Sequence, residues 1–504
     1  MDRNKQAAKV STPLPQREGL GETLQREGES LQYIELYTQA RQVIFDHAAE
    51  PMNAVRDAAF QDFKVQGFPS RKVERYKYTD IPKLFEPDYG VNLNRLEIPV
   101  DPYQAFRCDV PNLSTSLYFV VNDAFYRGEM TEVRGERIPL NSPKLPEGVI
   151  VGSLREHFSH PSPLTSHLSK YYAQLAKTNE DAVTALNTML AQDGMLVYVP
   201  KNVKLDRAIQ VINILKAPQR NPHPSSLTSD LSPLTSYYMM VNRRVLIILE
   251  EGAEAKFLFC DHAADDNHFL TTQVIEAYVG ENASLDLYCL EETHSKSVRV
   301  SNVYIDQQAN SRVNHNVITL HNGITRNKLD LTFSGEGAEC DCYGCVIADK
   351  NQHVDNNTLI THKVPHCTSN ELYKYVLDGQ ATGAFAGKVL VEHGAQKTSS
   401  QMTNQNLTAT KEARMYTQPM LEIYADDVKC AHGSTVGQLN DAALFYMRQR
   451  GISLEEATIL LQKAFINEVI DKMKLEPLRD RLRYLVEKRF RGELNKCVGC
   501  KLCN

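Results

Sequence analysis

Four segments in the middle of the chain share one short pattern, and this repeat restricts the fold more than any other feature. They read GAEAKFLFC (252–260), NASLDLYCL (282–290), NSRVNHNVI (310–318) and GAECDCYGC (337–345). The small residue in their second position recurs every 27 to 30 residues, at Ala253, Ala283, Ser311 and Ala338. Each segment predicts a turn followed by an alternating strand. Coils of this length bury their inner faces only by stacking, as in a parallel β-helix or solenoid.

The rest of the chain divides around this repeat. A chain of 504 residues exceeds one ordinary core, so two or three structural units are expected. We predict a mainly β fold made of a flexible polar tail (1–30), an N-terminal helical region (31–115), a β-helix core (116–439), a C-terminal helical domain (440–490) and a cysteine-rich tail (491–504). Two Pro/Ser/Thr-rich segments in the core are predicted to be exposed loop insertions, at 160–169 and 221–237.

Composition restricts the partners and the compartment. The net charge of −6 gives no general reason to expect nucleic acid or an anionic membrane as a partner. No run of 18 apolar residues occurs, so we expect no transmembrane helix. The first residues lack the apolar stretch of a secretory signal, and the eleven cysteines are an odd number. We therefore expect reduced thiols and a cytoplasmic location.

A Cys-x-His-Gly step is the strongest candidate for a metal site. We predict a strand from Val428 to His432, and because alternate strand side chains share a face, Cys430 and His432 should point the same way. A soft thiolate beside an imidazole suits iron, zinc or a cluster intermediate, and Gly433 allows a sharp backbone turn. A purely structural Cys–His pair is the alternative that these residues alone leave open.

Other cysteines are weaker candidates. The repeat places Cys340 and Cys342, and with them His315, on inward rows of the stacked coils, where small thiols behave as apolar residues. We therefore interpret Cys340, Cys342 and Cys345 as core residues, and we expect His315 to make a satisfied hydrogen bond.

The C-terminal tail and one glycine-rich segment invite functional interpretations. The tail carries three cysteines at CxxCxxC spacing, Cys497, Cys500 and Cys503. This spacing is typical of three ligands of a four-cysteine cluster motif, but the fourth cysteine is missing. A transient iron, zinc or cluster site and a tail without a defined role both remain open. The segment TGAFAGKV (382–389) lacks the spacing and the hydroxyl of a phosphate-binding loop, so we expect no nucleotide site in this chain.

The residues after Asn440 change from a strand period to a helix period. Asn440 can cap a first helix, and Ser453 with Glu456 forms a capping box for a second. One face of the second helix is predicted to be apolar, at Ala457, Leu460, Leu461, Ala464, Phe465, Val469, Ile470 and Met473. This domain can pack on the β-helix, or it can present an apolar docking surface with a basic rim.

Four stretches together resemble a known family, the SufD family of the SUF iron–sulfur cluster assembly system. They are GFPSRKVERYKYTD (67–80), TALNTMLAQDGMLVYVPKNVKLDRAIQV (184–211), GAFAGKVLVEHGAQKTSSQMTNQNLTAT (383–410) and LEIYADDVKCAHGSTVGQLNDAALFYMRQRG (421–451). The related SufB scaffolds typically lack the Cys-x-His-Gly step. The resemblance implies a right-handed parallel β-helix of the SufB/SufD type, flanked by N- and C-terminal helical regions.

The resemblance also implies a function. It implies a scaffold without enzymatic activity of its own, in a complex with a SufB-like scaffold and a SufC-like ABC ATPase that docks on residues 440–490. Nascent clusters are expected at the SufB–SufD interface. His432, and less firmly Cys430, are expected to bind a transient iron ion or iron–sulfur cluster there, with no permanently bound cofactor. The resemblance also allows a homodimer of the isolated chain.

Two alternatives belong to other classes of function. The first is the SufB paralogue of the same complex, against which the step at Cys430 and His432 argues. The second is a carbohydrate-active β-helix enzyme, which should carry a secretion signal and carboxylates clustered on one row of coils. In this chain the neighbouring carboxylates Asp426 and Asp427 instead lie in a stretch that resembles SufD.

Overall fold

A computed structural model describes residues 20–102, 110, 113–126, 130–133, 136–139, 144–218 and 238–493. Its α-helices are α1 (Leu20–Asp46), α2 (Glu50–Asn53), α3 (Arg56–Gln66), α4 (Ile81–Phe85), α5 (Leu154–Ser159), α6 (Pro163–Leu168), α7 (Ala182–Leu190), α8 (Asp441–Gln449), α9 (Leu454–Ile470) and α10 (Glu476–Phe490). The early strands are β1 (Gly90–Val91), β2 (Thr115–Val121), β3 (Ala124–Tyr126), β4 (Met130–Val133), β5 (Glu136–Pro139), β6 (Ile150–Ser153), β7 (Met195–Val199) and β8 (Ala208–Leu215).

The later strands alternate between two long sheets. They are β9 (Tyr238–Leu249), β10 (Glu254–Ala263), β11 (His268–Val279), β12 (Ser284–Glu292), β13 (Ser297–Gln307), β14 (Arg312–His321), β15 (Ile324–Phe333), β16 (Glu339–Ala348), β17 (His353–His362), β18 (Thr368–Leu377), β19 (Thr382–Val391), β20 (Ser399–Thr408), β21 (Arg414–Ile423) and β22 (Lys429–Gly437). Sheet A has the order β21-β19-β17-β15-β13-β11-β9-β7-β6, and sheet B has the order β22-β20-β18-β16-β14-β12-β10-β8-β2-β3. Consecutive strands thus wind into a parallel β-solenoid, which confirms the predicted fold class.

The register of the coils agrees with the repeat in the sequence. Glu254 pairs with Ser284, Ser284 with Arg312, and Arg312 with Glu339. The small residue that precedes each of them therefore occupies the same position in successive coils. The residue before each small residue turns the chain with a positive φ, at Gly252, Asn282, Asn310 and Gly337. Glycine and asparagine tolerate this left-handed conformation better than other residues do, which explains their recurrence at each corner.

The main hydrophobic core fills the space between the two sheets. Its members alternate along the strands and face inward, among them Val197, Ile247, Phe257, Leu287 and Leu331. Because the coils stack in register, each inward side chain packs on its equivalents in the coils above and below. The solenoid is therefore stabilised by contacts between coils, as the sequence predicted.

The N-terminal helices cover the outer face of sheet A. Helix α7 is buried along its whole length, and the same apolar cluster includes Phe63 of α3 and Leu270 of β11. The stretch 67–80 crosses sheet A further along. There Arg75 donates to both carboxylate oxygens of Asp330, at 2.6 and 3.1 Å, and Tyr78 stacks on Tyr416 of β21.

The C-terminal helices α9 and α10 cover the outer face of sheet B. Ile466, Leu482 and Val486 pack against Leu290 and Ile347 of that sheet. The predicted cap at Ser453 is confirmed, since its hydroxyl accepts a hydrogen bond from the Glu456 backbone. The predicted apolar face of α9 is partly wrong. The buried residues are Ala457, Ile459, Gln462, Ile466, Val469 and Ile470.

Three local predictions are corrected by the structure. Helix α1 begins at Leu20, so the helical region begins inside the predicted tail of residues 1–30. The span 116–439 is not β throughout, since α5, α6 and α7 lie within it. The segment 160–169 contains helix α6, whose first turn the Ser162 hydroxyl caps, and most of the segment is exposed as predicted, although Leu168 is buried. The segment 221–237 lies outside the described residues.

Candidate functional site at the open end of the solenoid

The last coil leaves one edge of each sheet unpaired. In the described part of the chain β22 pairs only with β20, and β21 pairs only with β19. Several large apolar side chains on or beside these strands are exposed, namely Tyr416, Ile423, Tyr424 and Val436. An open edge presents unpaired backbone N–H and C=O groups to which another strand can bind.

Cys430 and His432 lie on this last strand. Cys430 pairs in register with Ser400, and His432 pairs with Met402. Cys430 is half-buried and packs against the main core, whereas His432 is exposed. Since both side chains occupy the inward face of a coil that no further coil covers in the described residues, they are accessible at the end of the solenoid. We refer to them below as the end pair.

The electrostatics of the end pair favour a protonated thiol in the absence of a metal. Burial raises the pKa of the Cys430 thiol, and a hydrogen bond with the Ser400 backbone offsets part of this rise. A bound metal ion reverses that balance because it deprotonates a coordinating thiol. Among the described residues, no three His, Cys, Asp or Glu side chains are arranged to hold one metal ion. An ion bound to the end pair therefore takes further ligands from elsewhere.

The sharp turn that we predicted at Gly433 is wrong. The strand continues through it to Gly437, and Gly433 pairs with Thr403 of β20. A Cβ atom at Gly433 would meet no atom within 4 Å among the described residues. Because side chains alternate along a strand, this open space lies on the face of β22 opposite to His432.

The cysteines of the fourth repeat segment are buried. Cys340 and Cys342 point into the main core, whereas Cys345 points to the other face of sheet B, beneath the C-terminal helices. Contact with the Cys340 thiol, together with burial, raises the pKa of Cys342 well above its usual range. Burial raises the pKa of Cys345 to about 12. The thiols of Cys342 and Cys345 are therefore protonated in the metal-free chain.

The hydrogen bond predicted for His315 is not formed. Its ring is buried, and neither ring nitrogen has a hydrogen-bond partner among the described residues. Burial and the nearby Arg299 guanidinium lower the pKa of His315 to about 4. The ring also lines a cavity of about 10 Å³, roughly the room that one water molecule needs.

One buried carboxyl was missed in the sequence. Glu371 lies at an inward position of β18, directly in register with Cys342. Burial raises the pKa of Glu371 to about 7, against a smaller opposite effect of the Thr358 hydroxyl. The signal was present, since extending the repeat by one coil places Glu371 on the same inward row as His315 and Cys342.

The remaining candidates lie apart from the end pair. Cys497, Cys500 and Cys503 lie outside the described residues. The segment TGAFAGKV forms most of β19, which pairs on both sides with β17 and β21 and therefore cannot wrap a phosphate. None of the helices in the described ranges combines the length and the apolar composition that a membrane span needs.

Helix α8 follows directly on β22. The Asn440 side chain caps it by accepting from the backbone N–H groups of Ala442 and Ala443, as predicted. No residue of this helix is buried, and Phe445 and Tyr446 are 63% and 57% exposed. The Arg450 guanidinium lies 5.1 Å from the centre of the Tyr446 ring. Of residues 440–490, α8 thus carries the two most exposed aromatic side chains.

Comparison with known proteins decides the family. Residues 233–465 match the SufBD core domain of SUF-system iron–sulfur cluster assembly, and residues 27–211 match the SufBD N-terminal region. The chain belongs to the SufB/SufD family. Within it, an iron–sulfur cluster assembly SufBD family protein of Synechocystis is 28% identical over 441 residues, 86% of this chain and 87% of the relative.

Two further SufB/SufD relatives have informative names. The chloroplastic protein ABCI7 of Arabidopsis thaliana is 26% identical, over 86% of this chain and 85% of its own length. The iron–sulfur cluster assembly protein SufD of Escherichia coli is 31% identical over 246 residues, 48% of this chain and 58% of its own length. The resemblance inferred from the four stretches is therefore confirmed at the level of the SufB/SufD family, and the protein is a SUF-system iron–sulfur cluster assembly protein of this family.

Proposed function

We propose that this SufB/SufD family protein acts as a SufD-type scaffold, which supports iron acquisition and the assembly of nascent iron–sulfur clusters at an interface with a SufB-like partner. The observation that carries the proposal is the position of Cys430 and His432 on the unpaired edge strand of the solenoid. The cluster is cargo at this site and does not stay with the chain.

The partner is inferred from the chemistry of the open end. Exposed edge strands are normally covered, and Tyr416, Tyr424 and Val436 add apolar surface beside the unpaired backbone. A second β-solenoid of the same family can continue both sheets across such an end. It also supplies the further ligands that Cys430 and His432 need, since a tetrahedral iron site takes four. In the absence of a SufB-like partner, a second copy of this chain can occupy the same edge.

We assign the hydrolysis of ATP to a separate subunit. The glycine-rich segment is a strand of sheet A that is paired on both sides, so we propose that the chain itself hydrolyses no ATP and is not an enzyme. A SufC-like ABC ATPase docks on α8, where Phe445 and Tyr446 provide an aromatic anchor and Arg448 and Arg450 a basic rim, the usual composition of a specific interface. The proposed compartment is the cytoplasm, because a reducing environment keeps the thiols free.

The deciding experiment replaces His432 and uses its strand neighbour as a control. Purified complexes carrying His432→Ala are compared with complexes carrying Lys429→Ala, an exposed residue on the opposite face of β22. We expect His432→Ala to reduce the yield of assembled clusters at least tenfold while complex formation is unchanged, and Lys429→Ala to retain the wild-type yield. Equal yields from the two variants would remove His432 from the mechanism.

A second measurement separates the SufD-type assignment from the SufB alternative. Purification of the chain with its endogenous partners, followed by mass spectrometry, should recover an ABC ATPase together with a second SufB/SufD family chain that differs from this one. Recovery of the ATPase with a chain that itself carries the Cys-x-His-Gly step would favour the SufB assignment for this protein.

A further inference from the structure

The C-terminal tail carries a cysteine motif that lacks one ligand. Cys497, Cys500 and Cys503 lie outside the described residues, and their spacing in the sequence is CxxCxxC. In two-cluster bacterial ferredoxins, three cysteines with this spacing bind one cubane iron–sulfur cluster, and the fourth ligand of that cluster comes from a distant part of the chain. A cubane cluster bound to this tail therefore needs a fourth ligand from the folded part of the protein.

The last described residues show where the tail begins. The Arg489 guanidinium of α10 donates to the Leu320 carbonyl at 2.6 Å, so the last turn of this helix lies beside the C-terminal end of β14. The backbone N–H of Glu493 donates to the Lys488 carbonyl at 2.9 Å, which keeps the end of the described chain at the same turn. Cys497 is the fourth residue after Glu493. Because four extended residues span up to about 14 Å, the tail is long enough to reach the end of β14.

His321 is the last residue of β14 and has the orientation of a metal ligand. Its ring is partly exposed, and its Nδ1–H donates to the Thr293 backbone carbonyl at 2.7 Å. The other ring nitrogen, Nε2, has no hydrogen-bond partner among the described residues. Burial lowers the pKa of His321 more than the Thr293 carbonyl raises it, and the Arg489 guanidinium also lowers it. Metal-binding histidines typically donate one ring N–H to a carbonyl in this way and bind the metal through the other nitrogen.

We propose that a cubane iron–sulfur cluster binds beside the last turn of α10, held by Cys497, Cys500, Cys503 and the Nε2 atom of His321. Imidazole is a suitable fourth ligand, since histidines replace two of the cysteines in Rieske centres. Each thiol loses its proton when it binds, and the lysines that flank the cysteines in the sequence favour the thiolate form. The site is separate from the end pair, because β14 and β22 lie four strands apart in sheet B. The proposal therefore does not depend on the proposed function.

A preformed cluster provides the probe. The full-length chain is first prepared without the end pair, as Cys430→Ser and His432→Asn, and this background protein is mixed with a synthetic cubane tetrathiolate complex without oxygen. The three tail cysteines and His321 displace the four small thiolates, three of which take up the cysteine protons, and no electron is transferred. After gel filtration, iron and sulfide analysis should find one cubane cluster per chain. If the background protein retains no cluster, the proposal is wrong.

Variants within this background assign the ligands. Replacement of all three tail cysteines, as Cys497→Ser, Cys500→Ser and Cys503→Ser in one chain, should abolish cluster retention, and undiminished retention overturns the site.

The imidazole ligand is tested by spectroscopy. After one-electron reduction of the cluster, electron–nuclear double resonance should detect a nitrogen bound to it. The nitrogen signal should disappear in His321→Cys, which supplies a fourth thiolate and keeps the cluster. It should persist in His366→Ala, the matched control, which replaces an exposed histidine at another corner of the solenoid. A background protein without the signal, or an unchanged signal in His321→Cys, removes His321 from the site. Thermal melts test folding, and should His321→Cys not fold, an unchanged nitrogen signal in His321→Asn overturns the proposal.

Discussion

The Arg489 guanidinium of α10 donates two hydrogen bonds to the Asp349 carboxylate at the end of β16, at 2.8 and 3.0 Å. The third nitrogen of the Arg489 guanidinium, Nε, donates a hydrogen bond to the Leu320 carbonyl at 2.6 Å. Arg489 is buried, so this contact ties the last described helix to the corner of a central coil. The hydrogen bond and the charge of Arg489 hold the pKa of Asp349 below its usual value, against the effect of partial burial.

We predict that Asp349→Asn destabilises the protein by about 2 kcal/mol, because it weakens charge-assisted hydrogen bonds to a buried guanidinium. Since the folded-state pKa of Asp349 is depressed, its stabilising contribution is present above the unfolded value of about 3.9. It is lost as the pH falls below that value. Urea unfolding at pH 7 measures the change. Asp426→Asn, at an exposed position, is the control and should leave the midpoint unchanged.

The second prediction concerns truncation after Asn440, which removes α8, α9 and α10. Because Leu290 and Ile347 of sheet B would lose their cover, we expect the shortened chain to bind a hydrophobic dye and to melt without a cooperative transition. A cooperative melt near the wild-type temperature would mean that the helices contribute little to the core. Because the truncated chain is expected to lose its packed structure, loss of ATPase binding by it would not locate the docking surface.

Point substitutions in α8 locate that surface more directly. Phe445→Ala should weaken binding of a SufC-like ATPase at least tenfold, since aromatic anchors dominate specific interfaces, and it should leave the melting temperature unchanged because the side chain is exposed. Val65→Ala on α3, where the side chain is 85% exposed, controls for the loss of any exposed apolar group. Calorimetric titration measures both affinities. Equal affinities would place the docking surface elsewhere.

The fourth prediction concerns Glu291, a buried carboxyl near the end of β12, a strand in the middle of sheet B. Burial raises its pKa to about 7, although Arg299 and the hydroxyls of Thr325 and Thr319 act in the opposite direction, and Asp261 adds to the rise. The unfolded carboxyl ionises near pH 4.3, so the folded chain binds more protons between about pH 4.3 and 7. Stability should therefore fall as the pH rises through this window, by roughly 3–4 kcal/mol.

Glu291→Gln removes the ionisable group and should remove this part of the pH dependence. Chemical unfolding at pH 5 and pH 7 gives the free energy of unfolding of the wild type and of this variant. Glu281→Gln, a substitution at an exposed position, is the control and should keep the wild-type dependence of stability on pH. If the slope is the same in all three proteins, Glu291 is already ionised in the folded chain at pH 5.

Much of the architecture follows from the sequence alone. The spacing of Ala253, Ala283, Ser311 and Ala338 predicts the register of four coils because a stacked coil must repeat its turn and its inward row. Asn440 and Ser453 predict two helix starts, since capping is a local interaction between a side chain and the next few backbone groups. The alternation of side chains also places Cys430 and His432 on one face.

Only the tertiary structure decides what lies against these elements. A side chain at an inward position is known to face the interior, but its partners come from strands of the opposite sheet that are distant in the sequence. His315 therefore has no hydrogen bond where one was expected, and Glu371 was missed. Likewise, the helical period defines an apolar face of α9, but packing on sheet B selects Ile466 and leaves Leu460 exposed. Local patterns fix which elements form, whereas burial and electrostatics depend on contacts between distant parts of the chain.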